Sequence, residues 1–187
     1  MSFYPKKISM QSCAPAHGGK VSHAASTARS VSFICGVTLE LSIEIVEGKI
    51  FEARFLTNGC GFVVAAADLI CYEISGTRLK ELHALEPLIK SVEAKFGLVD
   101  SSRTHCFNLC FEALENALQN YRSSVIEEFK GEKPLVCTCF GVDEEAVERA
   151  IRKNGLRTVE EVGETTNAGT GCGSCLFLLQ EMIDSEI

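Results

Sequence analysis

Two pairs of closely spaced cysteines near the end of the chain are its strongest chemical signal. One residue separates Cys137 from Cys139, and two residues separate Cys172 from Cys175. The insert between the pairs has the periodicity of short helices. Four thiolates from two tight loops form a tetrahedral sulfur site, which suits zinc or an iron–sulfur cluster. Zinc sites more often join two C-x-x-C loops on β-turns, so the C-x-C pair and helical insert favour a cluster and leave zinc open.

Three further cysteines stand at the ends of predicted elements. Cys35 precedes an alternating strand, and Cys60 lies between two glycines at a predicted helix N-terminus. Cys106 follows His105 at the start of a long helix. A helix N-terminus favours the thiolate form of a cysteine. Because side chains at the ends of elements can meet across a fold, these residues are candidates for a second thiol site.

Two other cysteines have a plainer interpretation. Cys71 and Cys110 fall on the apolar faces of predicted helices, where a small buried hydrophobic residue is favoured. Cys110 lies one helical turn from Cys106, which keeps it as a minor candidate for the same site.

Composition restricts the class of protein. With 46% hydrophobic residues among 187, the chain can bury a core without disulfide bonds to stabilise it. Its ten cysteines come without a recognisable signal peptide or membrane-spanning run, so we expect a reducing, cytoplasmic location and no membrane partner. A disulfide framework is the weaker alternative. The formal net charge is −7, and residues 131–187 contribute −6 of it, which disfavours nucleic acid and suits a basic protein surface.

The residues before the cysteine pairs predict a mixed fold. Residues 1–29 lack a clear pattern and predict a weakly structured segment. Strict alternation over 37–45, followed by Glu47-Gly48 and a second alternating run, predicts an antiparallel hairpin, with 30–34 as a third strand. Three helical patterns follow: from Phe62 to about Ser75, over Thr77–Leu88 with Pro87 near its end, and over His105–Phe129.

The last part of the chain is expected to be small and helical. Residues 131–134, Gly-Glu-Lys-Pro, predict the linker before a second domain over 135–187. Asp143 is suited to cap a helix over Glu144–Asn154, which Gly155 would end. Thr158 begins the spacing of a capping box for a second helix, and a third is expected near Cys172. The predicted fold class is therefore α+β.

The C-terminal run VCTCFGVDEEAVERAIRKNGLRTVEEVGETTNAGTGCGSC resembles the bacterioferritin-associated-ferredoxin-type (BFD-like) [2Fe-2S] domain found within NifU proteins. The resemblance covers nearly all of residues 135–183. It implies a small all-α domain. It also implies Cys137, Cys139, Cys172 and Cys175 as ligands of a permanent [2Fe-2S] cluster.

The N-terminal part resembles the IscU/NifU scaffold family over about residues 30–122, through ICG, NGCGFVVAAADL and HCFNLCFEALENALQNY. The resemblance implies a SufE/IscU-like domain over 30–130, in which a three-stranded antiparallel sheet packs with helices. It further implies that Cys35, Cys60 and Cys106, with His105 as an auxiliary ligand, hold a transient iron–sulfur cluster, iron or zinc. The whole arrangement resembles a NifU without its C-terminal domain.

The chain departs from the family at Val37. The family motif is Cys-Gly-Asp, whereas the sequence here reads Cys35-Gly36-Val37. Loss of this hard oxygen ligand predicts a site that holds a cluster or zinc more tightly and releases it less readily. The approach to Cys106, LVDSSRTHC, also lacks the chaperone-binding sequence LPPVK, so a dedicated chaperone is not supported.

The resemblance implies a scaffold or carrier protein and not an enzyme in its own right. Its expected partners are a cysteine desulfurase that supplies sulfur, apo iron–sulfur acceptor proteins, an electron donor and a second copy of the chain. The alternative is a ferredoxin-like electron carrier whose scaffold domain has become a docking module, and Val37 keeps this alternative open. A zinc-stabilised interaction protein is the third interpretation.

Overall fold

The structure is a computed structural model, and it describes residues 4–97, 103–128 and 134–186. Internal contacts divide the chain into two compact units, Met1–Tyr121 and Arg122–Ile187. The predicted 131–134 linker lies outside the described residues except for Pro134, so the boundary there remains a prediction. None of the helices in the described ranges is both long and apolar enough to cross a membrane.

The first unit is built on a three-stranded antiparallel sheet, as predicted. Its strands are β1 (Ser26–Val31), β2 (Thr38–Val46) and β3 (Lys49–Thr57), in the order β1-β2-β3. Leu41 in the central strand pairs with Ala28 on one side and with Phe55 on the other, and all three are buried. The alternation read from 37–45 therefore corresponds to one face of the sheet turned towards the core.

The start of the chain is more ordered than the weak pattern over 1–29 predicts. A helix, α1 (Lys6–Cys13), packs on a later helix, and β1 begins at Ser26 instead of residue 30. The intervening segment is held by the buried carboxylate of Asp68. Asp68 accepts hydrogen bonds from the backbone N–H of His17 at 2.8 Å and from Nε2 of Gln11 at 3.2 Å. Long-range contacts of this kind leave no local pattern in the sequence.

Helices cover the sheet. They are α2 (Gly61–Ile74), α3 (Glu86–Phe96) and α4 (Thr104–Glu128), with a 3₁₀ turn over Leu79–Leu82. The α2 and α4 predictions hold to within one or two residues. The helix predicted over Thr77–Leu88 is wrong because Pro87 lies in the first turn of α3 and does not end the preceding segment. A proline without an N–H is well tolerated there, where the N–H has no helical acceptor.

Polar contacts attach α4 to β1, whose buried positions include serines. Ser26 Oγ donates a hydrogen bond to the carbonyl of Ala117 at 2.7 Å, and Asn116 Nδ2 donates to Ser30 Oγ at 3.2 Å. Cys106 lies near the start of the same helix. These bonds therefore help to fix the position of the helix that carries one of the candidate thiols.

The second unit contains three helices and a short ribbon. Strands β4 (Leu135–Cys137) and β5 (Val142–Asp143) pair antiparallel and precede α5 (Glu144–Asn154), α6 (Val159–Thr166) and α7 (Leu176–Glu186). The α+β class is thus found, with a small sheet that the all-α expectation for this domain lacks. Buried residues from all three helices form one core; they include Val147, Ile151, Val162, Leu179 and Ile183.

Both predicted helix caps of the second unit are present. Asp143 accepts a hydrogen bond from the N–H of Ala146, and Gly155 ends α5 in the left-handed conformation. Thr158 and Glu161 form the capping box of α6. By contrast α7 begins at Leu176, four residues after the predicted start, because Gly173 has a φ of +77° that no helix accepts.

Removal of the capping box is expected to loosen α6. Thr158→Ala deletes the hydroxyl that accepts the N–H of Glu161, at a cost of about 1 kcal/mol. Hydrogen exchange of the α6 amides measures this loss locally. Thr165→Ala is the matched control, because its hydroxyl bonds a carbonyl within the helix and caps nothing. Equal acceleration of exchange in the two variants would contradict the prediction.

Candidate functional site

The four cysteines of the second unit come together from its two loops. Cys137 is the last residue of β4, and Cys139 lies in the turn that leads to β5. Cys172 lies in the loop after α6, and Cys175 directly precedes α7. The Sγ atoms of Cys139 and Cys172 are 3.4 Å apart, and the Cys137 thiol lies close enough to Cys175 to help raise its pKa. Each loop therefore contributes one sulfur to each of two spatial pairs, which are the exposed pair Cys139 and Cys172 and the buried pair Cys137 and Cys175.

The exposed pair contains a thiol that ionises readily. Hydrogen bonds from the Ser174 hydroxyl and its backbone N–H, followed by one from the Cys139 thiol, lower the pKa of Cys172 to about 7. Burial raises the pKa of Cys139. Since the thiolate is the form that binds metal, Cys172 is the member of this pair with the most thiolate available near neutral pH.

The buried pair is supported by the backbone. Burial, and then the charge of Cys137, raise the pKa of Cys175, whereas the N–H of Gly169 donates to its sulfur and opposes the rise. An N–H directed at sulfur stabilises negative charge on a thiolate or on a cluster. Four thiols from two loops, with hydroxyl and N–H donors beside them, have the donor chemistry that a [2Fe-2S] cluster requires.

The candidate thiols of the first unit lie at one end of its sheet. Cys35 is exposed in the loop between β1 and β2, and Cys60 directly precedes α2. Cys106 is buried in the first turn of α4, and its Sγ is 3.5 Å from Nε2 of His105. The Cys60 thiol lies close enough to Cys106 to help raise its pKa, and the charge of Cys35 also reaches Cys106.

The pKa values of Cys35 and Cys106 are shifted in opposite directions. Burial, and then the charge and hydrogen bond of Cys60, raise the pKa of Cys106 to about 12. The Ser32 hydroxyl at 3.4 Å, and then the backbone at Val37, lower the pKa of Cys35. Cys35 is therefore the accessible nucleophile of the group, while Cys106 stays protonated until a metal or another reactant displaces its proton.

Three residues near the sites were not identified from the sequence. Arg103 lies over the ring of Phe62, 5.2 Å from its centroid, and its charge adds to the lowering of the pKa of Cys35 and opposes the rise in the pKa of Cys106. Ser32 and Ser174 are hydrogen-bonded to the thiols of Cys35 and Cys172. Each lies within three residues of a candidate cysteine or His105, and this proximity was the available signal.

Cys71 and Cys110 lie in the core, in line with their interpretation as buried hydrophobic residues. Cys110 donates to the carbonyl of Cys106 at 3.2 Å, and burial raises the pKa values of both Cys71 and Cys110. Over 4–97, 103–128 and 134–186, no three His, Cys, Asp or Glu side chains are arranged to bind one metal ion as they stand. The contacts between candidate ligands are pairwise.

Comparison with known proteins identifies both halves of the chain. Residues 3–128 match the NifU-like N terminal domain, and residues 135–185 match the BFD-like [2Fe-2S] binding domain. The nitrogen fixation protein NifU of Trichormus azollae is 36% identical over 156 residues, which are 81% of this chain and 51% of that protein. The chain thus spans about half the length of the curated NifU relatives that it matches.

A scaffold relative and a solved structure agree with the N-terminal match. The iron-sulfur cluster assembly scaffold protein IscU of Escherichia coli (strain K12) is 32% identical over 90 residues, 48% of this chain and 68% of IscU. The crystal structure of an N-terminal NifU-like protein from Brucella abortus has the same fold, with a TM-score of 0.52, 15% identity, and coverage of 64% of this chain and 94% of that one. Because the N-terminal match takes in more than half of the residues, the chain belongs to the NifU-like N-terminal domain family, joined here to a BFD-like [2Fe-2S]-binding domain.

Proposed function

We propose that this chain is an iron–sulfur cluster assembly scaffold that works with a cysteine desulfurase and delivers to apo acceptor proteins. Its N-terminal site, Cys35, Cys60 and Cys106 with His105 as auxiliary ligand, would build or carry a transient cluster. Its C-terminal cysteines would hold a permanent [2Fe-2S] centre. The name of the IscU relative supports the scaffold role, and the family match supports cluster binding in the C-terminal domain.

The observation that carries the proposal is the pairing of opposite thiol environments at one end of the sheet. An exposed Cys35 with a lowered pKa lies beside a buried Cys106 whose pKa is about 12. Sulfur delivered from outside requires an accessible thiolate, and retention of a cluster requires ligands shielded from water. This group of thiols supplies both.

The first chemical step follows from the accessibility of Cys35. Its thiolate attacks the terminal sulfur of a persulfide on the desulfurase, forms a new S–S bond, and releases the desulfurase cysteine as a thiolate. Arg103 stabilises the attacking anion, and Ser32 orients it. Cys60 and Cys106, with His105, are then the neighbouring ligands for ferrous iron.

The C-terminal site has a different role. Cleavage of a persulfide on Cys35 to the Cys35 thiolate and sulfide takes two electrons. A [2Fe-2S] cluster, when bound, supplies electrons one at a time. Two buried thiols and two more accessible ones would hold that cluster, and the donors at Gly169 and Ser174 would stabilise its negative charge.

Reconstitution tests the scaffold role. Anaerobic protein with only the permanent centre is expected to contain about two iron and two acid-labile sulfide per chain. Incubation with a cysteine desulfurase, cysteine and ferrous iron is expected to add further iron and sulfide that a chelator removes first. Cys35→Ser and Cys60→Ser should each lose this added fraction and keep the permanent one.

Cys13→Ser is the matched control, because Cys13 is an exposed thiol at the end of α1 that belongs to neither group. It should gain the labile fraction as the parent chain does. No added iron and sulfide in the parent chain, with a redox-active permanent centre, would overturn the scaffold role.

That negative result would favour the second candidate, a ferredoxin-like electron carrier with a scaffold domain retained for docking. The packing of Val37 favours this candidate. A Cβ atom placed on Gly59 would lie 2.9 Å from Cγ1 of Val37, so this apolar side chain packs on the backbone next to Cys60. Colourless protein that contains only zinc would overturn both candidates.

A further inference from the structure

An exposed apolar patch marks the start of α7. Phe177 is 76% exposed, and its neighbours Leu176 and Leu178 are 44% and 43% exposed. The core face of this helix is formed instead by Leu179 and Ile183, which are fully buried. Three consecutive large apolar side chains open to water, on a helix that already has a buried face, are typical of an interaction surface.

This patch is continuous with the C-terminal thiol site. The helix begins one residue after Cys175, and Phe177 follows Cys175 by two residues, about 3 Å along a helix axis. The side chain of Leu176 lies against Gly169 and Gly173, two glycines of the loop that carries Cys172. Cys172 is itself exposed. Whatever covers the patch therefore also covers the accessible edge of the thiol site.

The charged side chains of α6, of α7 and of the loop between them are all acidic. Residues 158–187 contain six acidic residues and no Lys, Arg or His. The cations of the domain lie on α5 and in the loop after it; they are Arg149, Arg152, Lys153 and Arg157. On α7, Glu181 lies one turn from Phe177, and Asp184 is one further turn along the same face. Within the described part of the chain, neither forms an ion pair, and Asp184 accepts a hydrogen bond only from Gln180.

We propose that Leu176, Phe177 and Leu178, with Glu181 and Asp184 beside them, form the docking surface for a basic electron-transfer protein. An anionic, apolar surface next to a redox site selects a partner whose own redox centre is surrounded by Lys and Arg. A symmetric pair of copies would oppose one acidic surface to another, and nucleic acid is repelled.

This inference rests on the proposed resident cluster and names the class of partner that serves it. A cluster held by the four C-terminal cysteines would exchange one electron with the redox centre of the partner, in either direction, with no bond made or broken. Apolar contacts at Phe177 exclude water from the junction, while Glu181 and Asp184 speed the encounter of the two proteins.

The test uses the full chain and cytochrome c, a basic haem protein, as the probe. Titration calorimetry at low salt measures the affinity, and stopped-flow absorbance measures the rate at which the reduced chain converts ferric to ferrous haem. We expect Phe177→Ser to weaken binding about tenfold. Glu181→Lys should weaken binding and flatten its dependence on salt. Phe51→Ser is the matched control, since Phe51 is 69% exposed on β3 of the other unit.

The outcomes separate this inference from the proposed function. Iron, sulfide and reduction potential should be the same in all variants, and a small-molecule oxidant should react with each at the same rate. Absence of binding by the parent chain, or equal effects of Phe177→Ser and Phe51→Ser, would overturn the docking surface while the scaffold role stands. Loss of self-association in Phe177→Ser without a change in cytochrome c binding would assign the patch to a second copy and overturn the proposal. Absence of any cluster would overturn the proposed function. The affinities of the variants for cytochrome c would still test the docking surface.

Discussion

Cys172→Ser is expected to remove nearly all of the tightly held iron and acid-labile sulfide from the anaerobically purified chain. A serine hydroxyl does not ionise near neutral pH and is a harder, weaker ligand for cluster iron than a thiolate. Cys172 is also the member of the four with the lowered pKa, about 7, so the variant lacks the thiolate most available to capture iron. The visible absorption of the cluster should disappear with the metal.

The measurement combines visible absorption with iron and sulfide analysis. Cys137→Ser removes a buried ligand from the other loop and should produce the same loss. Cys13→Ser should retain the full chromophore, which separates ligand loss from a general effect of removing a thiol. A chromophore that persists unchanged in both Cys172→Ser and Cys137→Ser would disprove the ligand assignment.

The two cysteine groups differ in how far the sequence determines them. In the second unit, the thiols lie in loops between short helices whose caps are local signals. Asp143, Gly155 and Thr158 act within four residues of themselves, so both helices that separate the pairs could be predicted. Once those helices pack, their ends determine the positions of the two loops, and the loops that carry the cysteines lie side by side. The late start of α7 is the exception, since it depends on the backbone angle of Gly173.

In the first unit the thiols come from elements far apart in the chain, and local patterns do not give their separations. The position of β1 depends on Ser26 and Ser30, which are buried only because α4 supplies hydrogen-bonding partners for them. Period-two hydrophobicity does not reveal a strand in which two of the three inward residues are serines. The resemblance to a family supplied the grouping of Cys35, Cys60 and Cys106. The structure adds their unequal burial and the charge of Arg103.

Sequence and structure together indicate that Val37 affects the release of a cluster. As a sequence departure it predicts slow release of a cluster, because an oxygen ligand is missing. In the structure its side chain is half-buried and packs on Gly59 and towards Val63, beside Cys60. The position is therefore filled by an apolar contact. This contact would give water less access to the bonds between Cys60 and a cluster bound there.

Val37→Asp is expected to speed transfer of the labile cluster to an apo acceptor by on the order of tenfold, the scale on which changes beside metal ligands act. The carboxylate is close in size to the isopropyl group that it replaces, and the half-exposed position lets it remain hydrated and ionised. It offers iron a hard oxygen ligand that exchanges more readily than a thiolate. Transfer is followed by the appearance of acceptor activity or by circular dichroism after reconstitution with a desulfurase.

Val37→Asn is the matched control, because it has nearly the shape of aspartate without the charge. If the missing carboxylate limits release, Val37→Asn should transfer slowly, as the parent chain does. If both variants accelerate equally, loosened packing against Gly59 is the cause and the ligand argument fails. A parent chain that already transfers as fast as Val37→Asp would show that the three thiols and His105 release clusters without an oxygen ligand, and the electron-carrier alternative would lose its main support.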